Sequence, residues 1–454
     1  MTGRRTTRLI GSIALAASIA VTVGVRPCAA IEINRLTLSN GAVLLVSEQH
    51  QLPMVTMAMA FDAGSRRDPK GKEGLAHLTA ACLNEGTREL TAEQLNQKVD
   101  FIGSSLSVGA GQDYASADFT SLTRYSGETL HLLARVLTGP ALRDADIERK
   151  RGEQLAALNS AEEQPGYVAE RTFSKLLFGD APYAHLAAGT VDSVKKLTAE
   201  DVRNFYHRYY RLGGAIIAIA GDVKTDEIKE AIEKELKGLQ GSVEPQPTPP
   251  APKVAPGRHV IKIDRNVSQA NLVLGFGGIA RSNPDYYRLQ VMNYILGGGG
   301  FASRLVKKVR SEAGLAYSVS SGFDTGLFPG SFRVVLQTKN QSANEAVKLV
   351  LEQLRRIQQE PVSDAELNSA KKFLIGSFPL KFDRQSAIAS FMLQVELFHL
   401  GLDYANRYPQ IIGEITKEDL QKVARQYLHP DAFFLVAAAN QSEAALKLGS
   451  DGSP

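Results

Sequence analysis

Residues 241–257, GSVEPQPTPPAPKVAPG, hold six prolines in seventeen residues. Proline fixes φ and removes a backbone donor, so this stretch predicts a stiff, extended spacer. What lies on its two sides repeats in order. AFDAGSRRDP (60–69) aligns with GFGGIARSNP (275–284), and LRDADIE (142–148) with VSDAELN (362–368). LTAEDVRNFYHRYYRLGGAIIAIAGDV (197–223) aligns with ITKEDLQKVARQYLHPDAFFLVAAAN (415–440). Three ordered matches at offsets of 215, 220 and 218 point to a tandem duplication of one long unit, not a solenoid. Whatever the first half folds into, the second must fold into as well.

Each half shows the same run of patterns. Apolar segments of strand length come first, at Val43–Glu48 and Val55–Phe61, then at His259–Asp264 and Ala270–Phe276. A helix follows (Gly74–Asn84; Tyr286–Leu296), then strands such as Ser116–Thr123 and Gly330–Gln337. Amphipathic helices are expected near Asp144–Glu163 and Asp364–Leu380. A helix opened by Thr198-Ala-Glu-Asp or Thr416-Lys-Glu-Asp, a capping signature, leads to a final apolar strand. Strands and helices in separated runs give an α+β class: two tandem homologous domains, each a mainly antiparallel sheet with helices packed on one face. The expected boundaries are residues 31–240, the linker 241–257, residues 258–445, and a disordered tail over 446–454.

The first thirty residues carry a different signal. Arg4, Arg5 and Arg8 precede an apolar run from Leu9 to Val25, and Cys28-Ala29-Ala30 places small residues where a signal peptidase cuts. Residues 1–30 therefore read as a secretory signal peptide cleaved after Ala30, by the general route rather than the twin-arginine one. The expected location is the periplasm of a Gram-negative bacterium. The full chain has a formal charge of +4, and the four arginines of the leader account for it. A balanced mature chain gives no electrostatic case for nucleic acid or an anionic membrane surface. No later apolar run is long and charge-free enough to span a bilayer. Cys82, the one cysteine after the leader, cannot form an internal disulfide and reads as core packing.

Two stretches could carry chemistry. GKEGLAHLTAACLNEGT (71–87) is an amphipathic helix bearing His77, but the positions three and four residues on hold Ala80 and Ala81. Zinc on a helix needs ligands at such spacing with an acid nearby, and Ala156 and Ala157 on the next long helix offer none. Taken alone, His77 reads as a structural histidine. There is no phosphate loop and no G-x-S-x-G elbow. The second stretch is LGGGGFASRLVKKVRSEAGLAYSVSSGF (296–323). Gly297, Gly298, Gly299 and Gly300 predict a flexible loop, followed by a short basic helix, a Gly314 stop and a strand from Tyr317. Loop, helix and strand together suit an extended peptide.

With AGSRRDPKGKEGLAHL, FGDAPYAHLAAGTVDSVKKLTAEDVRNFYHRYY and GGGGFASRLVKKVRSEAGLAYSVSSGF in view, residues 31–440 resemble the pitrilysin, insulinase and mitochondrial processing peptidase family. These are the inverted zinc peptidases whose motif is H-x-x-E-H. The resemblance implies two related α+β domains in a clam-shell arrangement. It also implies that His77 is a remnant, with Ala80, Ala81 and Ala157 where the family has Glu, His and Glu. No metal is then expected on this chain. The family's Arg and Tyr, seven residues apart, contact substrate and stabilise its developing oxyanion. Here they match Arg310 and Tyr317, the expected catalytic contributors, with Gly297–Gly300 and Phe301 expected to bind substrate. The function implied is that of a non-catalytic, substrate-binding subunit of an exported heterodimeric metallopeptidase. Zinc would sit in a homologous H-x-x-E-H partner, and the substrates would be unfolded or extended peptides. The alternative is a catalytically dead structural or peptide-binding relative with no role in proteolysis.

Overall fold

The structure is a computed structural model that describes residues 31–255 and 257–447; the expected signal peptide lies outside the described residues. Eleven strands form two sheets. The first contains β1 (Asn34–Thr37), β2 (Val43–Glu48), β3 (Met54–Phe61), β4 (Ser105–Ala110), β5 (Ala115–Leu122) and β6 (Ile216–Gly221), in the order β1-β2-β6-β3-β5-β4. The second contains β7 (Arg258–Asp264), β8 (Gln269–Gly277), β9 (Ala316–Asp324), β10 (Ser331–Lys339) and β11 (Phe433–Ala439), in the order β7-β11-β8-β10-β9. From β2 onward the two orders are the same. Even the parallel pairing recurs, β2 with β6 and β7 with β11, while all other pairs are antiparallel. The duplication read from sequence is thus a duplication of topology.

The expected helix starts are where the chemistry put them. Thr198 and Thr416 each cap a helix, Ala199–Tyr209 and Lys417–Tyr427, and each exchanges bonds with the aspartate three residues on. Both final strands, β6 (IIAIAG) and β11 (FFLVAAA), are buried along their whole length, which explains apolar runs without alternation.

Each half packs helices against one face of its own sheet, and the opposite face is covered by a helix from the other half. Helix Gln385–Leu397 of the second half lays Ile388, Ala389, Met392 and Leu393 on Ala58, Ala60, Ile216, Ala218 and Ala220 of the first sheet. Helix Pro165–Phe178 of the first half lays Ala169, Phe173 and Leu177 on Val273, Phe434, Val436 and Ala438 of the second. Small residues on the sheet let each helix approach. At Gly275 a Cβ would lie 2.8 Å from the Phe173 ring and 2.1 Å from the Phe332 carbonyl, so only glycine fits.

The linker is extended but is not a free spacer. Gln246 exchanges hydrogen bonds with Arg66, the Lys253 amide donates to the Leu177 carbonyl at 2.8 Å, and Ala255 is buried beside Phe173. Nor does the second domain stop at 445. Leu446, assigned from sequence to a tail, is buried, its carbonyl accepts from Lys262 Nζ at 2.7 Å, and Lys447 N donates to Asn344.

Candidate functional site

His77 lies on helix Leu75–Leu83, which starts at Gly74 in a left-handed conformation (φ 96°). A side chain at Gly74 would strike the Ala188 carbonyl at 2.6 Å and the Gln154 amide at 2.9 Å. Gln154, on the long helix Asp144–Glu162, donates to the carbonyls of Gly74 (3.2 Å) and Ala188 (2.8 Å), fixing the two helices against each other. Asp68 accepts the amides of Gly74 and Ala76, and burial pushes its carboxyl up to about 8. The helix that carries His77 is therefore tightly held, and the alanines expected in place of metal ligands offer no donor atom. Ala80 is buried, Ala81 half-buried, and Ala157, one turn beyond Gln154, is exposed. Burial lowers the His77 pKa. Among the described residues no three His, Cys, Asp or Glu side chains converge as metal ligands. One imidazole does not fit a three-ligand zinc centre.

The second stretch is intact. The glycine run is not a flexible loop: Tyr294–Gly298 is a π-helical turn that continues the helix Tyr286–Asn293, and Gly300–Ala302 is a turn of 3₁₀ helix. Close packing demands the glycines. A Cβ on Gly297 would lie 2.4 Å from Ser321 Oγ and 2.7 Å from Leu305, and one on Gly299 would lie 2.5 Å from the Tyr294 carbonyl. Gly300 has φ 57°. The basic helix is also π-helical, over Val306–Glu312, and buries Val306 and Val309. Arg304 just before it forms a two-pronged pair with Glu366 at 2.7 and 2.9 Å, which pins it to helix Asp364–Ser377. Gly314 stops it at φ 64°, as expected.

On this frame the Arg310 guanidinium stands 5.2 Å from the centre of the Phe301 ring, and Phe301 is 76% exposed. Tyr317 is 70% exposed. Its exposure has a backbone cause. Ala316 pairs with Thr338 and Ser318 with Gln337, so Tyr317 is the extra residue of a β-bulge. Bulges re-aim side chains beside active sites. Phe301 and Arg310 are thereby brought together and Tyr317 is turned out. His77 sits on the other sheet's helix layer, in the other half. Chemically the second stretch offers a guanidinium beside an exposed aromatic ring and, seven residues on, an exposed phenol, each a hydrogen-bond donor.

One pair of positioning residues was not anticipated. Asn84, ending the His77 helix, bonds both the amide and the carbonyl of Val108 on edge strand β4, each at 2.9 Å. Asn293 does the corresponding task on edge strand β9, donating to the Ser321 carbonyl at 3.0 Å and accepting from its hydroxyl at 2.6 Å. The sequence offered no such signal, because the two asparagines lie 15 and 9 residues after the aligned Pro69 and Pro284.

These features define an α+β scaffold of two duplicated halves, with His77 alone on a helix of the first and Arg310, Tyr317 and Phe301 exposed on the second. The sequence matches Insulinase (Peptidase family M16) over residues 43–190 and the Peptidase M16 inactive domain over 196–374. It is 30% identical over 385 residues to the non-peptidase homolog YmxG of Helicobacter pylori, covering 84% of this chain and 87% of that one. It is 24% identical to the uncharacterized zinc protease YmxG of Bacillus subtilis, covering 88% and 96%. The crystal structure of a peptidase M16 inactive domain from Pseudomonas fluorescens superposes with a TM-score of 0.85 at 29% identity, over 90% of this chain and 98% of that one. The chain belongs to peptidase family M16.

Proposed function

We propose that this chain is the non-catalytic, substrate-binding subunit of an exported heterodimeric metallopeptidase, paired with a homologous subunit that carries H-x-x-E-H. The observation that carries the reading is the asymmetry between two sites built with equal care. The metal helix has lost three of four functional groups, while Arg310, Tyr317 and Phe301 remain exposed on a rigid frame. Exposed aromatic rings beside a cation with no ion-pair partner among the described residues are costly to keep unless something covers them. Zinc in the partner would polarise the scissile carbonyl and supply the activated water. This chain would bind the extended peptide and donate hydrogen bonds from Arg310 and Tyr317 to the carbonyl oxygen as it gains charge.

Among the described residues no helix is long and apolar enough to cross a membrane. Export rests on the sequence of residues 1–30. The test is reconstitution with the H-x-x-E-H partner. Arg310→Ala and Tyr317→Phe should each lower turnover roughly 100- to 1000-fold, the range for loss of one charge-stabilising donor, with the heterodimer still assembling. Unchanged turnover in both variants would sink the proposal. It would favour the second reading, a catalytically dead relative that binds peptide or builds structure only, a reading in keeping with the name of the Helicobacter relative.

A further inference from the structure

Beside helix Gln385–Leu397, on the outer face of the first sheet, lies a cavity of about 390 Å³. Gly109, Ser116, Asp118 and Ala58 are among its lining residues, with Ser390 and Gln394 from the crossing helix. Asp118 is the one charged group that lines it. No salt bridge reaches this carboxylate among the described residues, and burial raises its pKa against the opposing effect of a bond from Ser116. A half-buried carboxylate without a cation destabilises a fold.

In the second half the corresponding place is a smaller cavity, about 230 Å³, lined by a cation of the chain itself. Strand pairing makes Asp118 (opposite Ala58) the equivalent of Val335 (opposite Val273), and Ser116 the equivalent of Arg333. The crossing helices begin 220 residues apart, at Pro165 and Gln385, which makes Glu170 the equivalent of Ser390. In the second half Arg333 extends across the sheet face to Glu170 (3.7 Å) and Asp324 (2.6 Å), an internal cation between carboxylates. In the first half both members of the Arg333–Glu170 pair are serines, the space is open, and an acid stands where its twin has valine. Gly109 adds to the room. Nothing lies closer than 3.8 Å to a Cβ built there and its φ is not left-handed, so the chain itself does not require glycine at that point. Its twin, Gly322, is equally unhindered, and a glycine inside a strand leaves room for a close neighbour.

We infer that this cavity is a binding site for a cationic group on a flexible arm, a guanidinium or primary ammonium, which pairs with Asp118 where Arg333 serves the second half from within. The group fits the side chain of an arginine or lysine in an extended peptide, or a small free cation of the same chemistry. The site is distinct from Arg310 and Tyr317 and does not depend on a catalytic partner.

The test uses the mature chain alone and two fluorescent decapeptides that differ only in a central arginine or norleucine. The wild type should bind the arginine peptide at least tenfold more tightly. Asp118→Asn, nearly isosteric, should abolish that preference while binding the norleucine peptide unchanged. Gly109→Val should weaken binding of the arginine peptide by filling the cavity, with an unaltered circular dichroism spectrum. Spermidine and free arginine serve as competitors. Displacement at micromolar concentration assigns the site to a small cation, and failure to displace assigns it to the peptide side chain. Equal affinity of the wild type for the two peptides, or a preference that survives Asp118→Asn, would overturn the inference. Neither result touches the turnover measured with Arg310→Ala, so the two proposals fail separately.

Discussion

At the scale of single residues, glycine and alanine decide what this chain can do. Ala80, Ala81 and Ala157 carry no donor atom and sit within regular helices. Some glycines act in the opposite sense, since they are needed where neighbouring groups leave no room for a Cβ. Gly297 is the clearest case, with Ser321 Oγ, Ser321 N and the Leu305 methyl all inside the reach of a Cβ. Gly297→Ala should cost about 1–3 kcal/mol of stability by overpacking. It should also shift β9 and Tyr317, lowering activity in the reconstituted pair; thermal unfolding and turnover check both. The missing donors were legible from sequence because spacing on a helix is fixed by its geometry. The demand for glycine at 297 was not, because its neighbours Leu305 and Ser321 come from elements whose packing only the fold reveals.

At the scale of elements, the Arg304–Glu366 pair holds the π-helical segment in place. Arg304 lowers the Glu366 carboxyl to about 2, with further help from the Ser363 amide. A folded-state pKa below the unfolded value gives stability that is present above the unfolded pKa, near 4.5, and lost as pH falls through it towards 2. Glu366→Gln keeps an acceptor for the capping box and deletes the charge. It should lower stability by about 1 kcal/mol at pH 7, since the pair is only partly buried. The difference from wild type should shrink below pH 4 and vanish near pH 2, as denaturant titrations at several pH values would read. Periodicity placed this helix correctly, with Leu305, Val306 and Val309 inward. It could not separate α from π winding, because both bury one stripe and expose the other. The bulge at Tyr317 was equally hidden, because a two-residue period continues on either side of it.

At the scale of the whole molecule, the exchanged helices make the two halves one folding unit, and contacts do not divide the chain from Ile31 onward. Ile388, Met392 and Leu393 cover the first sheet, and burying each such side chain contributes about 1.5–3 kcal/mol. Residues 31–240 alone would expose that face and strand the apolar side of Pro165–Phe178. Each half expressed by itself should therefore bind hydrophobic dye and lack a cooperative melt. The two mixed should form a one-to-one complex that melts once, as size exclusion and calorimetry would show. A monomeric half with its own sharp transition would contradict this account.

What the sequence alone determined is what lies along one chain segment: the duplication, the strand and helix pattern of each copy, the capping boxes, and the Glu and His absent after His77. Spacing fixes which side chains share a face, and the alignment of two copies fixes the order of elements that both must follow. Tertiary structure decided what meets each face. It gave each sheet a helix from the opposite half, turned Tyr317 out on a bulge, tied the proline linker down at Gln246, Lys253 and Ala255, and left Asp118 in a cavity whose counterpart is lined by Arg333. Those pairings join residues far apart in the chain, and an amphipathic pattern states that a face must be covered without naming its cover.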